Sequence, residues 1–248
     1  MIFYIIIFII LSIIIKNYIL NINGYILSKY INKINKPYCN SKETFITSND
    51  KFFQTLRDNW TIIRDEYINY NQIYKKEIYS AKDIIPMNAY LDKGDIPWEN
   101  IILRVYNKDT VLIKYFPETY KLIKDNCSFA MFSILPPGKH LLPHYGPYNG
   151  ILRYHLGLII PKDKNNCFIM CNNNKYIWSE GKDMLFDDTI EHYVKNDTDE
   201  TRVILFLDIP RQFDNIFINM LNKTFLYCIK FNTTIDTIVE NANKFDEK

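Results

Sequence analysis

The chain carries little net charge and little cysteine, and the first of these shortages excludes a class of partner. Thirty Lys and Arg residues against 28 Asp and Glu residues leave a formal net charge of +2. Proteins that bind nucleic acids carry a clustered surplus of basic side chains, so we expect no nucleic-acid partner. The 248 residues are 48% hydrophobic and 15% aromatic, which is enough to bury the core of one sizeable domain or of two small ones.

The cysteine content excludes a small secreted protein that is held together by disulfides. The number of cysteines is odd, and the chain is long for that class. Cys167 and Cys171 lie four residues apart on an expected strand and therefore share a face, but no second pair of ligands follows at a spacing typical of zinc sites. We expect buried, hydrophobic thiols. The five cysteines are Cys39, Cys127, Cys167, Cys171 and Cys228.

One long apolar run lies at the amino terminus. Residues 2–15 are almost wholly apolar, and a snorkelling Lys16 would extend the span to about residue 20. No basic residue precedes the run and no small-x-small cleavage pattern follows it, which favours an anchor over a cleaved signal peptide. We predict a single-pass membrane anchor over residues 1–20 and a polar linker over residues 21–45.

The side of the membrane on which the main domain lies stays open. The lysines that follow the apolar run favour the cytosol under the positive-inside rule. Several Asn-x-Ser/Thr sequences point to a lumen, although an Asn-rich chain contains such sequences by chance.

Residues 46–248 are predicted to form one domain, with strands in the middle and helices at both ends. Apolar spacing predicts a helix over 51–67, Pro117 can begin a short helix over 117–126, and the tail from 211 to 248 has helical character. Residues 85–109 are expected to be irregular. Many short runs separated by turn residues predict an antiparallel sandwich or barrel. The predicted strands are 129–135, 151–160, 167–171, 175–179, 183–188, 191–194 and 202–209.

The strand over 151–160 has one polar and one apolar face. Because alternate residues of a strand point the same way, Arg153 and His155 share a face with Gly157 and Ile159. This pattern indicates either a polar pocket inside a barrel or an ordinary solvent-facing surface. The residues on the opposite face are Leu152, Tyr154, Leu156 and Leu158.

Arg202 and two histidines favour the pocket. Arg202 begins an apolar strand on the same face as Ile204 and Phe206, and a buried arginine requires an anion, which a dicarboxylate co-substrate would supply. His192 lies at the start of a short strand, and His144 is expected in a loop. Two neutral imidazoles brought together at a barrel mouth would suit Fe, Cu, Ni or Zn.

Four motifs in fixed order carry a family resemblance. They are HYGPYN at 144–149, LRYHLGL at 152–158, FDDTIEH at 186–192, and the arginine ten residues after that last histidine. From about residue 50 to about residue 211 the chain resembles the aspartyl/asparaginyl β-hydroxylase family. Its members are dioxygenases that use Fe(II), 2-oxoglutarate and O2, and they include bacterial hydroxylases of lipid A acyl chains.

The resemblance implies a fold and a set of roles. The fold is mainly β, with a double-stranded β-helix (jelly-roll) core and flanking α-helices, here preceded by the membrane segment. His144 and His192 match the iron ligands. Arg202 and Ser133 match residues that hold the distal carboxylate of 2-oxoglutarate. Arg153 and His155 match residues that contact the metal-chelating end of the co-substrate.

The resemblance does not decide between two classes of substrate. Gly146 stands where many related oxygenases have a third, carboxylate ligand, and in this it matches the hydroxylases of protein side chains. The short chain with an apolar amino terminus is more similar to the lipid-modifying members. We expect hydroxylation of an aspartyl or asparaginyl side chain of a protein. The alternatives are the same chemistry on a lipid acyl chain or small molecule, or an inactive jelly-roll binding module.

Three further polar residues lie near the motifs. Asp187 and Asp188 are expected to be turn residues or to support the ligands rather than to bind metal. His140 is expected at the rim of the pocket or on the surface.

Overall fold

The computed structural model of the protein describes residues 9–14, 24–39, 43–74, 80–85 and 90–244. Helices lie at both ends of a block of strands. The helices are α1 (Gly24–Asn35), α2 (Lys51–Asp58), α3 (Trp60–Ile73), α4 (Ala81–Ile84), α5 (Pro117–Ile123), α6 (Ile216–Cys228) and α7 (Thr233–Asn243). The strands are β1 (Glu99–Val105), β2 (Lys108–Asp109), β3 (Phe129–Leu135), β4 (His140–His144), β5 (Ile151–Ile159), β6 (Cys167–Cys171), β7 (Asn174–Ile177), β8 (Asp183–Phe186), β9 (His192–Asn196) and β10 (Arg202–Pro210).

The strands form two antiparallel sheets whose order defines the fold. The larger sheet has the order β2-β1-β3-β10-β5-β8, and the smaller has the order β4-β9-β6-β7. From β3 to β10 the chain thus crosses repeatedly between the two sheets, and β10, β5 and β9 pair only with strands that do not adjoin them in sequence. This interleaving is that of a jelly roll, or double-stranded β-helix. The predicted mainly β fold with flanking helices is confirmed.

The inner faces of the two sheets share one hydrophobic core. Met131 and Ile204 of the larger sheet belong to the same buried cluster as Ile169 of the smaller sheet. Cys167 and Cys171 are also fully buried in this cluster, and both are free thiols. The expectation of buried, hydrophobic cysteines on one face of a strand is confirmed for this pair.

The outer face of the larger sheet is covered by helices. Tyr154 of β5 stacks against Phe53 of α2, with 5.1 Å between the ring centroids. Asp50 caps α2 by accepting a hydrogen bond from the backbone N–H of Phe52. The single helix predicted over 51–67 is divided at Asn59 into α2 and α3. The short helix predicted from Pro117 and the helical tail are confirmed as α5, α6 and α7.

Two predictions of irregular structure are wrong. Residues 85–109 contain β1, which pairs with β3, and a tight turn at Tyr106 and Asn107 leads to β2. The register of β1 shifts between Ile102 and Arg104, and this bulge interrupts the alternation by which a strand is recognised. His144, expected in a loop, is the last residue of β4.

A second bulge places Ile159 on the opposite face of the sheet from the one predicted. Strand β10 pairs Ile204 with Gly157 and Val203 with Ile159, so Leu158 is the extra residue. Ile159 therefore packs on the helix-covered core with Leu158, not on the face of Arg153 and His155. Alternation holds up to Gly157 and fails beyond it.

The region predicted as a linker contains a packed helix. Helix α1 lies within residues 21–45, and its Ile31 packs with Tyr148 and with Phe225 of α6, so the linker prediction is wrong over 24–35. Residues 9–14 are helical. Among the described residues no helix is long and apolar enough to cross a membrane. The rest of the predicted anchor lies outside the described residues, and the anchor stays a prediction.

Candidate functional site

One cavity between the sheets collects the six residues that the sequence singled out. They come from five different strands, and their side chains meet because β3, β10 and β5 are neighbours in one sheet and β4 and β9 in the other. Arg153 and His155 thus line a pocket and not a solvent-facing surface. The predicted site residues on its wall are Ser133, His144, Arg153, His155, His192 and Arg202.

The two histidines form a pair across neighbouring strands. The register of β4 and β9 places His144 directly opposite His192, with 4.0 Å between the ring centroids. The Nδ1 of each ring lies within hydrogen-bond distance of a backbone carbonyl two residues earlier, at 2.7 Å from Leu142 and 2.8 Å from Ile190. A carbonyl only accepts, so Nδ1 carries the proton and Nε2 keeps its lone pair.

Burial keeps both imidazoles neutral. It lowers the pKa of His144, and it lowers the pKa of His192 to about 3, with a smaller contribution from the neighbouring His144. A neutral imidazole with a free Nε2 is the form that binds a metal ion, and it requires no deprotonation at neutral pH. The histidine pair therefore fits a divalent transition metal.

No third protein ligand completes the pair within the described residues. No group of three His, Cys, Asp or Glu side chains in that part of the chain could hold a metal ion. At position 146, a Cβ atom would stand 2.0 Å from Oδ2 of Asp188. A side chain at 146 therefore cannot fit unless Asp188 moves, and a metal at this site would take its other ligands from small molecules.

The positive charge of Arg153 is balanced by two carboxylates. Its Nη2 lies 2.7 Å from Oδ2 of Asp188, and its Nε donates to Oδ1 of Asp208 at 2.9 Å. The guanidinium also stacks over the ring of Phe206, 4.3 Å from the centroid. Burial raises the pKa of Asp188 to about 6, although the charge of Arg153 opposes this rise. This network fixes Arg153 on the cavity wall.

Arg202 has no such compensation. It is 1% exposed, and its Nη1 lies 3.3 Å and 3.4 Å from the carbonyl and Oγ of Ser133. Its guanidinium stacks over Trp178, its Nε has no hydrogen-bond partner, and no carboxylate among the described residues pairs with it. Burial lowers the pKa of Arg202 to about 10. A buried cation of this kind forms a site for an anion.

His155 lies on the same wall, and none of the described residues forms a hydrogen bond with its side chain. Both of its ring nitrogens are buried and unpartnered, and aromatic rings flank it, with Phe206 at 5.1 Å and Phe186 at 5.4 Å between centroids. Burial, and after it the charges of Arg202 and Arg153, hold the pKa of His155 well below its usual value. A neutral imidazole with free nitrogens can donate one hydrogen bond and accept another.

The unpartnered groups fit a small dicarboxylate that also chelates a metal. Arg202 would bind one carboxylate, and His155 and the histidine pair lie on the same cavity wall. Two residues that support the site were not predicted from the sequence: Trp98, whose Nε1 donates to Ser133 Oγ at 2.9 Å, and Asp208, which pairs with Arg153. Trp98 lies in the region expected to be irregular, and nothing local marks Asp208 as the partner of an arginine 55 residues away.

The remaining candidates lie off the cavity wall. Asp187 accepts from the backbone N–H and hydroxyl of Thr189 and pairs with Arg211 at 2.6 Å, so it is a turn residue as expected. Asp188 supports Arg153. Of the two places expected for His140 the structure shows the surface, where it pairs with Asp197.

Comparisons with known proteins give relatives of two kinds. Residues 57–212 match the family described as Aspartyl/Asparaginyl beta-hydroxylase. The chain is 44% identical over 120 residues to an ornithine lipid ester-linked acyl 2-hydroxylase of Rhizobium tropici, which covers 47% of this chain and 43% of that protein. It is 35% identical over 187 residues to the human aspartyl/asparaginyl beta-hydroxylase, which covers 70% of this chain and 22% of that protein.

The matched region covers a larger share of this chain than of either relative. The chain corresponds to less than half the length of either of these two proteins. The family match, by contrast, extends from α2 to the end of β10 and includes every residue on the cavity wall that the sequence singled out. The chain belongs to the aspartyl/asparaginyl β-hydroxylase family.

Proposed function

We propose that the protein is a dioxygenase that depends on Fe(II) and 2-oxoglutarate and hydroxylates a C–H bond of its substrate. The observation that carries this proposal is the uncompensated guanidinium of Arg202 in the same cavity as a neutral histidine pair. The overall reaction would convert substrate, O2 and 2-oxoglutarate into hydroxylated substrate, succinate and CO2. Bound iron would supply the activation of O2, which protein side chains cannot perform.

The side chains of the cavity would bind and orient the reactants. His144 and His192 would hold Fe(II) through Nε2. Arg202, helped by the hydroxyl of Ser133, would bind the distal carboxylate of 2-oxoglutarate. Arg153 and His155 would contact the keto-acid end and orient it toward the metal. The aromatic and aliphatic residues of the wall would exclude water from the reacting atoms.

Two substrate classes are supported by separate observations. An aspartyl or asparaginyl side chain of a protein is favoured by the family match. It is also favoured by Gly146, because the hydroxylases of protein side chains likewise lack a carboxylate at this ligand position. A lipid acyl chain is favoured by the higher identity to a relative named as a lipid acyl hydroxylase. That relative also suggests that the enzyme works at a membrane.

The test is whether the full chain in detergent converts 2-oxoglutarate to succinate in the absence of a substrate to be hydroxylated. We expect succinate to form when Fe(II), 2-oxoglutarate and air are supplied, and we expect His192→Ala and Arg202→Leu to abolish it. His140→Ala is the matched control, because His140 lies outside the cavity. Succinate formation by the parent chain that survives in both variants would contradict the proposed site.

A second assay separates the substrate classes. Peptides containing Asp and Asn, and lipids with ester-linked acyl chains, would be supplied to the active enzyme in parallel. Mass spectrometry would then show which of them gains one oxygen atom. Iron and 2-oxoglutarate binding by a folded chain that forms no succinate with any substrate would favour the inactive binding module.

A further inference from the structure

Helices α1 and α6 pack together and leave apolar side chains exposed. On α1, the three residues Ile26, Tyr30 and Ile34 are spaced four apart and are 47%, 62% and 47% exposed. They form an exposed stripe along α1, because residues four apart lie on one face of a helix, whereas Ser28, Ile31 and Asn35 are buried. On α6, the exposed apolar residues are Ile216, Phe217 and Tyr227. We call these two exposed surfaces the α1–α6 face.

The α1–α6 face is basic and is formed by segments without acidic residues. Lys29, Lys33 and Lys36 are exposed beside the apolar stripe of α1, and Lys33 lies over the ring of Tyr30. Residues 1–42 contain five lysines and no Asp or Glu, and residues 215–235 contain two lysines and no Asp or Glu. The rest of the chain is therefore net acidic, because the whole carries only +2.

The described part of the apolar amino terminus contacts the end of α6. The carbonyl of Ser12 accepts a hydrogen bond from Sγ of Cys228, the last residue of α6. Around Ser12, the side chains of Ile9, Ile13 and Ile14 are about half exposed. Residues 9–14 of the apolar segment thus lie beside α6.

Both helices hold the loop that links the two halves of the candidate site. Residues 145–150 connect His144 to the strand of Arg153. The side chain of Asn32 on α1 donates to the carbonyl of Pro147 and accepts from the backbone N–H of Asn149. Asn222 of α6 donates to the carbonyl of Gly150. The α1–α6 face is therefore attached directly to the backbone beside the histidine pair.

From this arrangement we infer that the α1–α6 face docks on the surface of a lipid bilayer that contains anionic lipids. A stripe of aromatic and aliphatic residues flanked by lysines is the pattern of an interfacial helix, since the apolar side chains enter the acyl boundary and the ammonium groups meet the head groups. Docking there would hold the cavity close to the membrane. The inference rests on the proposed function and favours a lipid as its substrate.

The test places a tryptophan on the face and asks whether lipid quenches its fluorescence. The full-length Tyr30→Trp chain is reconstituted into vesicles of phosphatidylcholine with brominated acyl chains, with or without phosphatidylglycerol, and the parent chain is subtracted as background. Ile73→Trp is the matched control, because Ile73 is an exposed apolar residue on α3, away from the face. We expect the tryptophan at 30 to be quenched at least about threefold more than that at 73, and only when phosphatidylglycerol is present.

Removal of the lysines tests the electrostatic half of the inference. The triple variant Lys29→Gln, Lys33→Gln, Lys36→Gln should weaken docking roughly 100-fold, since each lysine near an anionic surface contributes about fivefold. The control triple variant Lys121→Gln, Lys124→Gln, Lys162→Gln, with the same change of charge elsewhere, should leave the quenching unchanged.

Three outcomes would overturn the inference. The first is equal quenching of the tryptophans at positions 30 and 73. The second is quenching at position 30 that does not depend on phosphatidylglycerol. The third is dimerisation of the chain in detergent, measured by sedimentation, that shields the tryptophan at position 30. Succinate formation is measured on the same preparations. Loss of docking with succinate intact would reject the docking surface alone, and loss of succinate with docking intact would reject the proposed chemistry alone.

Discussion

Two arginines line the same cavity and are held in opposite ways. Arg153 lies between Asp188 and Asp208 and contacts both. Arg202 is more deeply buried, hydrogen-bonds to Ser133 and stacks on Trp178, and no carboxylate of the described residues reaches it. The first arginine is compensated within the fold, whereas the second has no charged partner among the described residues. The comparison shows that a buried charge is a stronger indication of a ligand site when no group of opposite charge pairs with it.

The largest effect is expected when the compensated arginine is removed. Arg153→Leu leaves Asp188 and Asp208 buried without their cation, which should lower the free energy of unfolding by about 3–5 kcal/mol. Urea denaturation of the full chain in detergent measures this. Adding Asp208→Asn to Arg153→Leu should recover part of the loss, because one buried carboxylate is then removed. A change below about 1 kcal/mol for Arg153→Leu would show that the network is not stabilising.

The uncompensated arginine should behave in the opposite way. Arg202→Leu removes a buried, unpaired cation, so we expect unchanged or higher stability, while 2-oxoglutarate binding should weaken roughly 100-fold. Isothermal titration with 2-oxoglutarate, together with urea denaturation, measures both effects. Arg64→Leu, outside the cavity, is the control. Loss of stability comparable to that of Arg153→Leu would remove the distinction between the two arginines.

A smaller effect is expected from the residue that orients Ser133. Trp98→Phe removes the Nε1–H that donates to Ser133 Oγ, and it should raise the KM for 2-oxoglutarate about fivefold, equivalent to the roughly 1 kcal/mol of one hydrogen bond, with kcat little changed. In a Ser133→Ala background the substitution should have no further effect. An equal loss of kcat in both backgrounds would instead indicate a general packing role for Trp98.

The smallest effect concerns Glu99, a partly buried acid that forms no ion pair with any of the described residues. Burial raises the pKa of Glu99 on β1 to about 7, above its unfolded value near 4.5. The folded state then binds a proton that the unfolded state releases, so stability is present below about pH 4.5 and is lost as the pH rises to about 7. Because Glu99 is partly exposed, we expect the loss to be about 1 kcal/mol after allowance for screening by solvent.

Unfolding at two pH values measures this contribution. Glu99→Gln should remove the loss of stability between pH 5 and pH 8, whereas the exposed Asp199→Asn should not. Parallel pH profiles for the parent chain and Glu99→Gln would show that Glu99 is solvated in the folded protein.

Local patterns in the sequence predicted the parts of the fold that depend on neighbours along the chain. The strands of Arg153 and Arg202 were recognised because side chains alternate with a period of two, and α5 because proline suits the first helical position. The packed helix α1 was not recognised. Its buried side holds Asn32 and Asn35, whose partners lie more than 100 residues away, and an Asn-rich segment is typical of a linker when those partners are unknown.

The sequence by itself thus determined which residues are candidates for the site, because the types and spacing of His144, Arg153, His192 and Arg202 are local facts. Only the tertiary structure decided how each is held. The pairing of Arg153 with Asp208 and the bulge that turns Ile159 away both follow from strand register, as does the lack of a carboxylate from the described strands at Arg202. Register is set by packing between distant segments, and a shift of one residue would send every side chain to the other face.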